Sequence, residues 1–336
     1  MPTTRSRFSN STRAALTLAL ALVAAGSVAG PARAADWPTR PVHVIVPYGP
    51  GGTADTLGRI AAMKLSQALH QQFIVENKPG AGGLLGADIV AHAAPDGYTL
   101  VVSGIASHVI APVLNPQGTN FDPLKDFTHI VLLGGPPDVL VTTKSLPVKT
   151  LKDFIALAQS KPDGLSYGTP GIGTHGHLVC EMLQQEAHFK MTTVPYRGAA
   201  AAAADIVGGQ VPVGCFTLTT ASGQIRAGNL NAIAVTSKRR LPDWPNIPTF
   251  VEDGYPNLVA VTWFALSGPA GMKPEVVDLI NKTVIAGFKD PDVQKRLRVD
   301  AIDPDPLTPA EFTQFVKDET ARWAPLAKRV AETIHK

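Results

Sequence analysis

The sequence is short of charge, of cysteine and of long apolar runs. Only 17% of its 336 residues are charged, against the usual ~25%, and no block of like charge occurs. With 45% apolar residues, this excludes a disordered acidic or basic polypeptide. There are two cysteines, Cys180 and Cys215, and no motif around either marks a catalytic thiol. In an oxidising compartment they can pair; otherwise they are two buried free thiols. Beyond the N-terminus no apolar run approaches the ~18 residues of a spanning helix. Gly (30 residues) and Pro (29) make up about 18% of the chain, more than the usual ~12% and less than the ~25–30% of low-complexity chains. A folded, turn-rich protein follows, and the length is a prior for two domains.

The N-terminus has the layout of an export signal. Arg5, Arg7 and Arg13 precede an apolar stretch of 12 residues, Ala14 to Ala25. Gly26, Gly30 and Pro31 then break the helix, and Ala32-Arg33-Ala34 reads as a cleavage site. No twin-arginine pair and no lipid-accepting cysteine are present. Residues 1–34 are therefore expected to be removed, giving a soluble, Sec-exported, periplasmic product. The segment holds four arginines and no acid, so its loss takes the formal charge from +3 to −1. Nothing electrostatic then favours a nucleic-acid partner.

The remainder alternates short apolar strands with amphipathic helices. Val42–Val46 is apolar but for His43, as expected of a buried parallel strand. Further strands are expected near Phe73–Val75, Tyr98–Val102, Ile130–Leu133, Val139–Thr142, Leu165–Tyr167, Thr193–Pro195, Val211–Phe216, Ala232–Val235 and Val261–Leu266. Between them the spacing predicts helices, including Asp55–His70, one opened by Thr150 and Asp153, and a last one opened by Thr308-Pro309-Ala310-Glu311, with a kink expected at Pro325. This alternation implies an α/β fold with parallel sheets.

Glycine is concentrated where strands end. Four loops join a strand to a helix through small residues: Tyr48–Asp55, Pro79–Gly83, Tyr167–Thr174 and Tyr196–Ala199. Glycine lets a ligand approach the backbone, and the following helix offers unpaired N–H groups and a positive dipole end. Any one loop can be an ordinary tight connection. Four converging on one cleft make a binding site for an anion, without metal or cofactor. Asp55 and Asp205 are read as helix-start acids, and Arg197 as a surface residue or a partner for a ligand carboxylate.

Other chemistries leave weaker traces. Gly49-x-Gly51-x-x-Ala54, with Glu76 22 residues further on, fits a dinucleotide fingerprint and so an NAD-dependent oxidoreductase. Against it, Pro47 and Pro50 stiffen the turn, a cofactor is scarce after export, and three more glycine loops stay unexplained. No Gly-Lys-Ser/Thr follows Gly52, and no G-x-S-x-G occurs. His175-x-His177 with Glu181 suggests a metal cluster, but a helix start capped by Thr174 with His177 facing the cleft is the plainer account. An exported two-lobed enzyme and an adhesion module complete the alternatives.

Several motifs in order carry a resemblance. Trp37-Pro38-Thr39-Arg40-Pro41-Val42, Ile45-Val46-Pro47-Tyr48, Pro50-Gly51-Gly52-Thr53-Ala54-Asp55 and Arg59 resemble the opening of mature Bug proteins, periplasmic receptors of tripartite tricarboxylate transporters. Glu76 to Gly83, Pro95 to Leu100, Gly173-Thr174 with His177-Leu178 and Glu181, Val194 to Gly198, Gly208 to Val211, and Ala234 to Ser237 with Arg240 continue it. The resemblance implies a type II periplasmic binding protein whose two lobes close on a solute. Lobe one is expected at 36–135 plus 258–336 and lobe two at 136–257. It implies a non-enzymatic, monomeric receptor for a di- or tricarboxylate or aromatic acid, delivering it to an inner-membrane permease. Ligand contacts are implied for Tyr48, Gly51, Gly52, Thr53, Asp55, Ala81, Gly82, Ser103 and Ser107 of lobe one, and for Thr169, Gly173, Thr174, His177, Gly198 and Ala199 of lobe two. Tyr48-Gly49 departs from the family pattern, as do Pro212 to Thr217, which lack its acidic residues, and Ser103 to His108, which is less polar than usual; a less polar wall at the ligand's far end is expected to favour an aromatic or apolar-bodied acid.

Overall fold

A computed structural model describes residues 37–161, 164–196, 198–302, 304 and 307–334. The expected export signal and Arg197 lie outside the described residues. Among the described residues there are ten strands: β1 (Val42–Val46), β2 (Phe73–Asn77), β3 (Thr99–Gly104), β4 (Phe127–Gly134), β5 (Asp138–Thr143), β6 (Leu165–Thr169), β7 (Met191–Pro195), β8 (Val213–Thr217), β9 (Leu230–Val235) and β10 (Phe264–Pro269). Each coincides with a strand expected from the sequence. The helices are α1 (Thr53–Leu69), α2 (Leu84–Ala91), α3 (Ala111–Leu114), α4 (Leu151–Gln159), α5 (His175–Glu186), α6 (Ala199–Val207), α7 (Leu218–Arg226), α8 (Pro274–Phe288), α9 (Pro291–Val299) and α10 (Pro309–Ile334).

The strands form two five-stranded sheets, in the orders β2-β1-β3-β10-β4 and β7-β6-β8-β5-β9. The fold is a two-lobed α/β architecture. The core strands β1, β2 and β3 run parallel, as do β6, β7 and β8. Each sheet also holds one strand against the grain. β10 is antiparallel to β3 and β4, and β5 is antiparallel to β8 and β9. These two are the first strands the chain enters after crossing between sheets. Only residues 135–137 separate β4 from β5, far too few for the dozen or more that a parallel connection requires. The chain leaves one sheet at its carboxyl edge and enters the next from that same edge.

The two crossings run side by side. Thr262 N–H donates to the Pro136 carbonyl at 3.0 Å, and Pro137 bridges Val261 in antiparallel fashion. A Cβ added at Gly135 would lie 2.1 Å from the Thr262 carbonyl oxygen, so glycine permits this approach. The last helix presents buried Phe312, Val316, Trp323, Leu326 and Val330 to an apolar cluster that takes Leu132 and Ala265 from one sheet and Leu140 and Cys215 from the other. It continues through Pro325. Thr150 and Asp153 form the expected capping box on α4, as do Thr308 and Glu311 on α10.

Candidate functional site

Beside the crossings lies a cavity of about 1440 Å³, lined by segments from both sheets. All four glycine loops reach it: Pro47–Thr53, Pro79–Gly83, Pro170 with Ile172–Thr174, and Gly198–Ala200. Sequence determines the local geometry at two of them. Gly51, at φ 84°, turns its N–H onto Asp55 Oδ2 at 3.0 Å, so the acid folds the loop back onto α1. Gly80, Ala81, Gly82 and Gly83 all have positive φ. At Gly83 a Cβ would sit 2.8 Å from Ser107 Cβ and 3.0 Å from the Tyr48 hydroxyl.

Helix starts at the cavity share one feature. α1, α2, α5, α6 and α7 begin at Gly52, Gly83, Thr174, Gly198 and Thr217, and none has a side-chain cap. Two of these residues carry hydroxyls suited to capping, but both are turned elsewhere. Thr174 Oγ1 donates to the Gly171 carbonyl at 2.8 Å, and Thr217 Oγ1 pairs with Thr220 Oγ1 at 3.1 Å. Away from the cavity, α4, α9 and α10 are capped by Thr150, Asp290 and Thr308, while α8, which opens with Pro274, is not capped by a side chain. Five helices therefore start without a side-chain partner for their first-turn N–H groups, although the Leu84 N–H of α2 reaches the Ala81 carbonyl and the Leu218 N–H of α7 the Pro137 carbonyl at 2.9 Å. Among the described residues, no charged side chain lines this cavity.

A family model described as a tripartite tricarboxylate transporter family receptor (TctC) matches residues 57–331. The chain belongs to this family of solute receptors. It is 32% identical to Protein BugT of Bordetella pertussis, over 97% of this chain and 99% of that one. Solved structures agree in fold. MatC from Rhodopseudomonas palustris with bound malate is 33% identical, with a TM-score of 0.78 over 87% of this chain and all of that one. R. palustris Rpa4515 with adipate is 33% identical, with a TM-score of 0.81 over 88% of this chain and 98% of that one. Among the described residues of the receptor, no helix is long and apolar enough to cross a membrane.

Of the residues singled out from the sequence, Tyr48, Gly51, Gly52, Thr53, Ala81, Gly82, Gly173, Thr174, Gly198 and Ala199 line the cavity. Asp55, Ser103, Ser107, Thr169 and His177 do not; they stand behind it. Asp55 accepts from Gly51 N–H, Arg59 Nε at 2.9 Å and Asn77 Nδ2 at 2.9 Å. Burial pushes its carboxyl up, but these hydrogen bonds outweigh it and hold the group below the usual carboxylate range. Ser103 Oγ pairs with Ser267 Oγ at 2.8 Å across β3 and β10, and Ser107 Oγ with His108 Nδ1 at 2.9 Å. Thr169 Oγ1 contacts Thr174 Oγ1 at 3.2 Å. His177 accepts the Gly173 N–H at Nδ1, 3.2 Å away, and stacks beside Tyr167, so it props the third loop from the rear. The Tyr48 hydroxyl is buried without a hydrogen-bond partner, and burial pushes its pKa up to about 12, so it keeps its proton at neutral pH.

Other expectations resolve into structural partners. Asp205 lies beyond the first turn of α6 and accepts from Tyr196 Oη at 2.7 Å. Glu76, which a dinucleotide site would direct at a ribose, is engaged by His43 Nδ1 and by Lys78 Nζ at 3.1 Å. His175 and His177 turn to separate partners, Asp138 and Gly173. No group of three metal-ligating side chains converges among the described residues. The two cysteines are free and buried.

Sequence reasoning missed two sets of lining residues. Thr219 and Thr220 enter from the start of α7, and Ala106, Leu114 and Asn115 from the turns after β3. Both places lack glycine-rich loops. The available signal was the hydroxyl run Thr217-Leu218-Thr219-Thr220 directly after a predicted strand. Also missed was a smaller cavity of about 220 Å³, which shares Tyr48, Gly52, Thr53, Thr174 and Thr220 with the large one and continues to Asp138, His175 and Thr262.

Proposed function

We propose that this receptor binds a small carboxylate, a di- or tricarboxylate or an aromatic acid, between two lobes and delivers it from the periplasm to a tripartite tricarboxylate transporter permease. The observation that carries the reading is the set of five helix starts without side-chain caps around one cavity that, among the described residues, has no lining cation. Main-chain N–H groups and helix dipoles are there to hold an anion, the role capping side chains serve elsewhere in the chain. Malate and adipate in the two relatives support the ligand class. On this reading the lobes are 36–135 plus 258–336 and 136–257, hinged at the paired crossings. Tyr48, Gly51, Gly52, Thr53, Ala81 and Gly82 face Gly173, Thr174, Gly198 and Ala199 across the ligand. Asp55, Ser103, Ser107, Thr169 and His177 act by shaping these loops. Ligand binding favours the closed form by its greater affinity for it.

A thermal-shift screen of the exported, processed protein tests this. The panel holds mono-, di- and tricarboxylates, aromatic acids, neutral amides and NAD⁺. A ligand at 100 times its Kd adds about 2.7 kcal/mol, a rise of several degrees. A response confined to carboxylates is expected; a response to NAD⁺ alone overturns the reading.

A further inference from the structure

The small cavity ends in a buried polar cluster placed at the crossings. Asp138 is the first residue of β5, Thr262 lies on the returning crossing, and His175 opens α5. All three line the cavity, and Asp138 and His175 are only 1% and 2% exposed. His175 Nδ1 lies 2.7 Å from Asp138 Oδ2 and 2.8 Å from Thr262 Oγ1, and Thr262 Oγ1 donates to Asp138 Oδ2 at 3.1 Å. The main chain is equally fixed: Asp138 N–H donates to Thr236 Oγ1 at 2.8 Å. One carboxylate oxygen is thus fully used. The other, Asp138 Oδ1, is buried with no hydrogen-bond partner, and so is His175 Nε2.

The chemistry of the orphaned Asp138 oxygen is fixed, because a carboxylate oxygen only accepts. Leaving such an atom unpaired in a buried site is costly, and a ligand group that donates to it removes the penalty. From the positions of Asp138, His175 and Thr262 in the inner cavity, we infer that this end of the cleft is a subsite for a hydrogen-bond donor, and that the solute is a carboxylate also bearing a hydroxyl or amino group. The inference rests on the proposed carboxylate-receptor function and narrows it. The uncapped helix ends take the anionic group, and Asp138 Oδ1 takes the donor.

The test is titration calorimetry with matched ligands on the wild-type protein and on Asp138→Asn. Each set shares one skeleton: succinate, malate and aspartate; glutarate, 2-hydroxyglutarate and glutamate; benzoate, 4-hydroxybenzoate and 4-aminobenzoate. In at least one set the hydroxy or amino member is expected to bind the wild type at least about tenfold tighter than the plain acid. In Asp138→Asn the amide oxygen keeps the Thr262 and His175 bonds and turns an NH₂ into the cavity, replacing an acceptor with a donor. The preference for donor-bearing acids is then expected to vanish. Plain acids binding the wild type as tightly as their hydroxy and amino partners in every set would overturn the subsite while leaving the receptor reading intact. No carboxylate binding at all would overturn both. The wild-type comparison decides the matter even if the variant fails to fold.

Discussion

Replacing Gly52 with valine separates binding from folding with little ambiguity. Gly52 is the residue before α1, at φ −82° and ψ 174°, an extended conformation that valine adopts readily. A Cβ built there meets nothing within 4 Å, so the fold has room for the side chain. The expected cost is that of a poor residue at an uncapped helix start, about 0.5–1 kcal/mol. In a protein of this size that lowers the Tm by no more than about 3 °C. The open space is the cavity itself, which Gly52 lines. A branched side chain there keeps a carboxylate off the first-turn N–H groups, and one lost hydrogen bond to a charged group is worth about 1.5–3 kcal/mol. Affinity for the solute found by thermal shift should fall about 10- to 100-fold in calorimetry, with an unchanged circular dichroism spectrum. Unaltered affinity in a folded Gly52→Val protein would refute the α1 cradle.

Four further outcomes follow from the geometry. Burial holds His108 down at about 3, with His129 opposing its charge as well, and holds His129 down at about 4. Both pKa values are depressed on folding, so their stability contribution is complete above about pH 6.5 and is lost as pH falls toward 4, at about 1.4 kcal/mol per pH unit for each histidine; chemical denaturation from pH 7 to 4.5 should show this slope, and His108→Phe should flatten it. Gly135→Ala forces a Cβ against the Thr262 carbonyl and should destabilise by about 1–3 kcal/mol in urea unfolding, whereas an unchanged midpoint would mean the crossings part easily. Asp55→Asn retains the shape but weakens the bonds from Arg59 and the Gly51 N–H, so ligand affinity and stability should fall together; lost affinity at full stability would instead mark Asp55 as a direct ligand contact. The hydrogen bond to Cys180, with burial, raises the Cys215 thiol, so alkylation should label neither cysteine in the native protein and both in denaturant without reductant.

The parallel core was legible because its central strands β1 and β3 are almost wholly buried and so are apolar at most positions, four of five in Val42–Val46. The direction of β5 and β10 was not legible. Their residues suit either sense; β5 is reversed by the three-residue crossing at 135–137, and β10 is entered from a returning segment that pairs with that crossing at Val261 and Thr262. The glycine loops were readable because positive φ at Gly51, Gly82, Gly171 and Gly173 requires that residue type. The roles of Asp55 and His177 were harder. Both sit beside binding glycines in sequence, and only the three-dimensional path shows Asp55 facing back to the Gly51 N–H and His177 to the Gly173 N–H. Asp138 carried no local signal at all. Its neighbours His175 and Thr262 are 37 and 124 residues away in sequence, and the crossings bring them together.

Uncapped helix ends have an energetic consequence for a receptor that must release what it binds. A side-chain cap is worth about 1 kcal/mol, and the five helices at the cavity forgo it while α4, α9 and α10 do not. An arginine at the same place would hold a carboxylate more tightly, but as a cation buried without its ligand it would destabilise the empty protein. Distributed N–H groups avoid this, because water satisfies them when the cleft is vacant and the carboxylate satisfies them when it is not. The starts of α1 and α2 follow strands of one sheet, and those of α5, α6 and α7 follow strands of the other. No single sheet therefore supplies all the donors. On the proposed reading a solute gains its full set only when both sheets face it, which couples binding to closure.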